Sequence, residues 1–225
     1  MLAVGPELPH AAPVNLEQLR RNYANRSLDP ADLHADPFVQ FDRWMREAIA
    51  TQLLEPNAMS LATVSASGAP SLRTVLLKGF DARGLVFYTN YASSKARDIA
   101  TQPSVALLFP WLPLERQVSV TGRAGKITAA ESLKYFLSRP RESQIGAWAS
   151  RQSEVITTRS LLEAKFAEMK ARFLIGEVRL PGFWGGYRVT PDTFEFWQGR
   201  PNRLHDRLRY TRQADGTWNI ERLMP

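Results

Sequence analysis

Hydrophobic positions change their period three times along the chain. Up to residue 55 they recur every three to four residues. "DPFVQFDRWMREAIATQLL" places Phe38, Phe41, Met45 and Ile49 on one helical stripe, with Asp36 as N-cap and Pro37 in the first turn. The preceding "NLEQLRRNYANR" reads as a shorter helix that Asn15 can cap. The first fourteen residues, with three prolines and little periodicity, read as a mobile start.

From residue 58 the period falls to two. "AMSLATVSA", "SLRTVLLKGF", "GLVFYTN", "SVALLFPW" and "RQVSVTGRAGKI" are short and rich in β-formers, with "SGAP" and "DARG" as turns and "SSKARDIAT" as a short helical piece. Helical spacing then returns. "TAAESLKYFLSR" opens with a Thr128/Glu131 capping box, and "TTRSLLEAKFAEMKARF" carries Leu161, Leu162, Phe166 and Met169 on one stripe. The end goes back to strands: "GYRVT", "TFEFWQ", "RLRYTRQ" and "TWNIERL". This order predicts a mainly β protein with peripheral helices, its antiparallel sheet closing into a barrel. No linker divides the elements, so residues 36–225 are expected as one domain behind a flexible segment, 1–35.

Composition narrows the chemistry. The 225 residues contain no cysteine, which removes disulfides, thiolate metal sites and cysteine nucleophiles. Of three histidines, two precede the expected core, leaving His205 alone and a histidine-built metal site unexpected. No GxSxG, P-loop or GxGxxG occurs. The start lacks the pattern of a secretory signal, and no apolar run approaches the roughly 20 residues of a membrane span, so a cytoplasmic location is expected. The formal charge of +7 favours anionic partners. No run of five like charges appears, which counts against nucleic acid.

Several groups could receive an anion. Arg73 and Lys78 flank "TVLL" with opposite parity, so an undistorted strand would send them to opposite faces. They serve one site only if a bulge or the strand end re-aims one. "YTNYASSK" gathers Tyr88, Thr89, Ser93, Ser94 and Lys95 at a strand-to-helix turn, suited either to a phosphate or to an ordinary cap with a solvated lysine. Tyr135 and Arg139 share a helix face, and Ser143 follows Pro140; the alternatives are a second anion site or a solvated helix end. Gln117, with Gln152 and Ser153 of "SRQS", offers groups suited to a heterocycle edge. "EFWQGRPNRLHDRLRY" (195–210) concentrates aromatics, arginines and His205. It reads as a nucleic-acid patch, a charged hairpin or one wall of an anion site.

"FEFWQGRPNRLHDR", together with "LRRNY", "RTVLLKGFD", "GLVFYTN", "LLFPW", "ERQV", "KYFLSRPRESQIGAWAS", "FWGGYRV" and "WNIERLMP", resembles the pyridoxamine/pyridoxine 5′-phosphate oxidases over almost the whole chain. The resemblance implies an FMN-binding split β-barrel, a homodimer with FMN at the subunit interface and C-terminal strands in the dimer contact. It implies oxidation of a phosphorylated pyridine by dioxygen. Carried over by motif, it assigns Arg73, Val75, Leu76, Lys78, Tyr88, Thr89, Ser94, Lys95, Gln117, Gln152, Ser153, Trp197 and Arg207 to FMN. The substrate receives Lys78, Tyr135, Arg139 and Ser143, with Arg203 and His205 over the reacting carbon. Arg20 and Tyr23 match a segment able to fold over the site as a lid. One departure stands out: Ser94 occupies a position where the family usually carries arginine, and its hydroxyl is expected to substitute. The same resemblance leaves two rivals, another split-barrel flavin oxidoreductase and a non-catalytic carrier of FMN or pyridoxal phosphate.

Overall fold

The computed structural model of the chain describes residues 22–24, 26–150 and 152–225. Most of the helix expected from Asn15, and with it Arg20, lies outside them; its last residues, 22–24 and 26, are described and are not helical. Helix α1 (Pro37–Ala50) starts where the sequence places it, with Asp36 Oδ1 accepting the Phe38 N–H at 2.8 Å. Its buried face is Phe38, Phe41, Trp44, Met45 and Ala48. Ile49, expected on that stripe, is instead 56% exposed. At 3.6 residues per turn, position 49 falls past the edge of the face that 41, 44 and 48 centre.

Among the described residues nine strands form one antiparallel sheet. They are β1 (Ala58–Val64), β2 (Pro70–Leu76), β3 (Gly79–Asp81), β4 (Gly84–Asn90), β5 (Ser104–Trp111), β6 (Arg116–Lys126), β7 (Trp184–Gln198), β8 (Asp206–Arg212) and β9 (Trp218–Leu223). The order is β2-β1-β5-β6-β7-β4-β3, with β8 and β9 branching from β7. The sheet curls until β2 approaches β4, giving an open half-barrel. Alternate residues of β1, β5 and β6 point inward, the period-two signature of a sheet with one buried face. Phe41 of α1 fills the concavity among Phe80, Phe109, Trp111 and Phe194.

Two expected strand boundaries differ. "GYRVT" and "TFEFWQ" are one strand, β7, which runs through Pro191. Its first half pairs with β4 and its second with β8, so the proline sits where no pairing on that edge needs its missing N–H. Opposite it, β6 shifts register between Thr121 and Gly122. A Cβ on Gly122 would lie 2.2 Å from the Thr190 carbonyl oxygen, so only glycine fits that approach. Conversely, "SLRTVLLKGF" is two strands. It breaks after Leu76, where the Leu77 N–H donates to Asn57 and the Lys78 N–H to Val86.

Helices α2 (Ser94–Thr101), α3 (Ala129–Ser138), α4 (Arg141–Ala149) and α5 (Arg159–Arg172) lie outside the barrel. The Thr128/Glu131 capping box forms as expected. Helix α4 has no counterpart in the sequence reading, since its "RESQIGAWA" follows a proline that seemed only to end α3. A smaller core of Phe136, Ile145, Phe173, Val178 and Trp184 fastens α3 and α4 to the sheet. Helix α5 covers it with Phe166 and Met169, while Leu161 and Leu162, expected on the same face, are exposed. No helix among the described residues is long and apolar enough to cross a membrane.

Candidate active site

The broken strand after Leu76 is what opens the site. Thr74, Val75 and Leu76 end β2, Tyr88, Thr89 and Asn90 end β4, and α3 and α4 bring Tyr135, Arg139 and Ser143 across from them. Together with Lys78, Lys95, Ser150, Gln152 and Trp184 they line a cavity of about 480 Å³. Lys78 lies beyond the end of β2, where strand parity no longer applies, and it lines the cavity whereas Arg73 does not, so the two do not meet in one site within the chain. Among the described residues the lining carries Lys78, Lys95 and Arg139 and no carboxylate.

Lys95 is the sharpest feature. Only 7% of it is exposed, and its Nζ donates to neutral oxygens alone, Gln152 Oε1 at 3.1 Å and Thr89 Oγ1 at 3.4 Å. Burial, then the nearby Arg73 charge, lowers its pKa. A buried ammonium without a counter-charge is costly unless an anion completes it. Arg139 has a similar deficit. Its guanidinium lies 4.8 Å from the Trp184 ring centre, and its buried Nη1 has no hydrogen-bond partner. Burial lowers its pKa against the opposing pull of Tyr135. Tyr88 stacks on Tyr135 at 3.9 Å and on Trp184 at 5.3 Å, forming a flat aromatic wall. Burial raises the pKa of both tyrosines, which keeps their hydroxyls protonated as donors.

Arg73 stands behind this cavity instead of lining it. Its guanidinium donates to Thr63 Oγ1 at 2.6 Å and Ser71 Oγ at 2.5 Å, with Asp98 at 3.9 Å. At the N-terminus of α2 the Ser94 N–H donates to Ser153 Oγ at 3.3 Å. Ser153 holds a left-handed backbone, φ 73°. Sequence reasoning passed over Arg97, whose guanidinium returns one turn to Ser94 Oγ at 3.1 Å and to the Ala92 carbonyl. The i, i+3 spacing from Ser94 was the available signal. Asn90 was missed as well. It fixes the turn by accepting the Ala92 N–H at 2.7 Å and donating to the Ser150 carbonyl at 3.2 Å.

The remaining candidates gather elsewhere. Gln117, Trp197 and Arg207 are direct cross-strand neighbours on β6, β7 and β8, so register alone puts them on one face. With Leu108, Ser119, Glu195 and Pro225 they line a separate cavity of about 280 Å³. Arg207 grips Glu195 with two bonds, at 2.7 and 3.1 Å, and donates to the Met224 carbonyl at 3.1 Å. The side-chain hydrogen bond to Glu195 raises its pKa. Trp197 packs against His205 at 4.6 Å, and Tyr23 meets both rings edge-on at 5.8 and 5.7 Å. His205 Nδ1 accepts the Arg200 N–H at 3.1 Å, and burial followed by Arg203 lowers the pKa of the imidazole. Arg203 is exposed after a left-handed Asn202. Arg200 and Arg209 of the same stretch are paired with Asp206 at 3.4 Å and Glu221 at 3.0 Å. None of Gln117, Trp197, Arg203, His205 or Arg207 reaches the first cavity within one chain.

Fold and cavity define a class, a split-barrel protein with an acid-free cationic pocket suited to phosphorylated ligands. Residues 45–173 match the family described as Pyridoxamine 5′-phosphate oxidase, and residues 184–225 match the Pyridoxine 5′-phosphate oxidase C-terminal dimerisation region. The chain is 60% identical to the pyridoxine/pyridoxamine 5′-phosphate oxidase of Rippkaea orientalis, over 94% of its own length and 100% of the relative's. It is 58% identical to that of Burkholderia thailandensis, over 93% and 99%. Among solved structures, PhzG from Burkholderia lata in complex with tetrahydrophenazine-1-carboxylic acid superposes with a TM-score of 0.82 at 31% identity, covering 88% of this chain and 98% of that one. The chain belongs to the pyridoxamine 5′-phosphate oxidase family.

Proposed function

We propose that the protein is an FMN-dependent oxidase of pyridoxine 5′-phosphate and pyridoxamine 5′-phosphate. The alcohol and dioxygen give pyridoxal 5′-phosphate and hydrogen peroxide; the amine consumes water as well and releases ammonia. The observation that carries this reading is the acid-free cavity in which Lys95 and the Arg139 Nη1 both lack an anionic partner. FMN and either substrate each bring one phosphate, and charge-assisted bonds to phosphate are the strong kind.

The donor set fits FMN on its own chemistry. Lys95, the Thr89 hydroxyl and the α2 N-terminus with Ser94 and Ser153 suit one phosphate. Arg97 brings a guanidinium to the hydroxyl that stands where the family usually has arginine. Arg73 sets the field around Lys95 from behind. The exposed backbone edge Thr74–Leu76 and Gln152 suit the ring system. Bound there, FMN would accept a hydride equivalent from the substrate carbon and pass its electrons to dioxygen. Lys78, Tyr135, Arg139 and Ser143 hold the substrate phosphate. The aromatic wall of Tyr88, Tyr135 and Trp184 excludes water.

Gln117, Trp197, Arg203, His205 and Arg207 complete the site from a second copy of the chain. This rests on the dimerisation region, which contains all of them but Gln117. In that arrangement Arg203 orients the substrate hydroxyl or amine. His205, its Nδ1 already occupied, offers Nε2 for a proton. Tyr23 braces Trp197 and His205 from the segment proposed as a lid. The phosphate-directed set Lys78, Arg139 and Ser143 favours this substrate class over that of a general split-barrel reductase.

The test is a visible spectrum of the FMN-loaded protein under anaerobic addition of pyridoxine 5′-phosphate. Bleaching of the visible flavin colour, with recovery in air and one peroxide per aldehyde, is expected. Colour that never bleaches makes the protein a carrier. A protein that takes up no FMN removes the flavin reading.

A further inference from the structure

A second cationic cavity lies on the other side of β6 from Gln117. Arg26, Ser27, Leu28, Asp32, Gln40, Arg43, Trp44 and Arg116 line about 300 Å³ between α1 and the segment preceding it. Three guanidiniums share a single carboxylate here. Glu47 takes Arg116 at 2.6 Å, Arg26 at 3.0 Å and Arg43 at 3.5 Å. Among the described residues Asp32 at the rim is the one acid in the lining, and its backbone carbonyl accepts from Arg43 at 3.2 Å. Positive charge is left over.

Two groups in this lining are buried, and one of them has an unused donor. Arg116 is 5% exposed, held by Gln198 at 2.8 Å and lying 4.2 Å over the Trp44 ring, which fixes its guanidinium in place. Burial pulls its pKa down against the pull of Glu47. Gln40 is 1% exposed, and while its Oε1 accepts the His34 N–H at 3.3 Å, its Nε2 has no hydrogen-bond partner. Leaving a buried amide donor unpaired is costly, so such a group in native cores normally meets a ligand or water. One buried guanidinium, two more exposed ones and a spare amide donor make an oxyanion site, with guanidinium geometry matched to phosphate.

We propose that this cavity binds a phosphate dianion, either free or as the monoester group of a small molecule. Arg43, Arg116 and Gln40 form the fixed side. Arg26 and Ser27 close it from the segment that also carries Tyr23. Occupation therefore pins that segment against α1, a few residues from where Tyr23 packs on Trp197 and His205. The site is independent of the flavin reading, because none of these residues lines the first cavity.

Equilibrium dialysis of the FMN-loaded protein against labelled inorganic phosphate, and separately against glycerol 2-phosphate, tests it. Two classes of site per chain are expected. Arg139→Gln should remove one, and Gln40→Leu and Arg43→Gln should each weaken the other by about tenfold or more. Arg43 sits on the exposed side of α1, so its variant keeps the fold even where a substitution at buried Gln40 does not. Tighter binding of the ester than of the free ion assigns the cavity to a phosphorylated metabolite; the reverse assigns it to phosphate itself. Binding that Arg43→Gln leaves unchanged, or a single class of site abolished by Arg139→Gln, overturns the proposal. Should the protein fail to take up FMN, the Arg43-sensitive class persists, which separates the two readings.

Discussion

The Lys95–Arg139 cavity and the Trp197–Arg207 cavity are both built from strand ends and cationic side chains, yet their charge is handled in opposite ways. In the first, a buried ammonium has only neutral acceptors and a buried guanidinium nitrogen has none. In the second, Arg207 is already neutralised by Glu195 through two bonds, and Trp197, His205 and Tyr23 present rings. The first region is deficient in negative charge. The second is balanced and offers flat surface. On the proposed reading the difference divides the work on a phosphorylated aromatic ligand: the first region anchors phosphate beside a ring-facing backbone edge, and the second adds ring surface from elsewhere in the chain.

If the contrast holds, substitutions in the first region should act on phosphate affinity and those in the second on ring contacts. The largest effect is expected from Lys95→Met. Loss of a charge-assisted bond of about 1.5–3 kcal/mol should weaken FMN roughly 10–150-fold, read by quenching of flavin fluorescence. An unchanged Kd would remove Lys95 from the phosphate. The same residue sets a pH dependence in the FMN-free protein. Its folded pKa lies below the usual 10.5, so the unfolded chain binds more protons between the two values. That protein should gain stability as pH rises through this window toward 10.5, and Lys95→Met should lose the gain. Thermal unfolding of both proteins across that range gives the comparison, and matched curves would contradict it.

Arg139→Ala comes next. It should raise KM for pyridoxine 5′-phosphate by about 10–100-fold while FMN retention changes little. Equal losses of both would place Arg139 on the cofactor instead. Trp197→Ala, in the second region, removes ring contacts of about 0.5–1.5 kcal/mol and should weaken FMN only about 2–10-fold. The smallest effect belongs to Glu195→Gln. Its partly exposed pair with Arg207 is worth about 0.2–1 kcal/mol, a change of a few-fold at most in either FMN affinity or stability. If Glu195→Gln rivals Lys95→Met, the claimed asymmetry of charge is wrong.

Much of this was legible in the chain, for reasons that differ by element. The Asp36 cap and the Thr128/Glu131 box are local chemistry and formed where the sequence put them. Period-two alternation found the strands, but a pattern of side chains does not encode pairing. It could not show that Pro191 lies inside one long strand, nor that "TVLL" ends before Lys78. Helix α4 was hidden because Pro140 stops α3 and caps the next helix at once. Ile49 and Leu161 were misplaced because helical spacing marks apolar positions without saying how wide the covered face is. Tyr88, Thr89, Lys95, Tyr135, Arg139 and Ser143 emerged from residue type at element ends and do converge on one cavity. Trp197, Arg207 and Gln117 were grouped by resemblance, whereas their mutual alignment follows from a β6–β7–β8 register no single strand reveals. Arg97 and Gln40 were invisible for a different reason: an exposed arginine and a helical glutamine look ordinary until their partners are known.

The central claim is that the two regions make one site only when two copies of the chain meet. Co-expression of Lys95→Met and Trp197→Ala chains under different tags, with purification of the doubly tagged species, tests it most directly. Under twofold symmetry the hybrid places both substitutions in one of its two sites and leaves the other intact. Its oxidase activity should therefore reach about half that of the unsubstituted dimer, above either parent variant. A hybrid no more active than the mean of its parents would contradict the account, since each site would then be contained in a single chain.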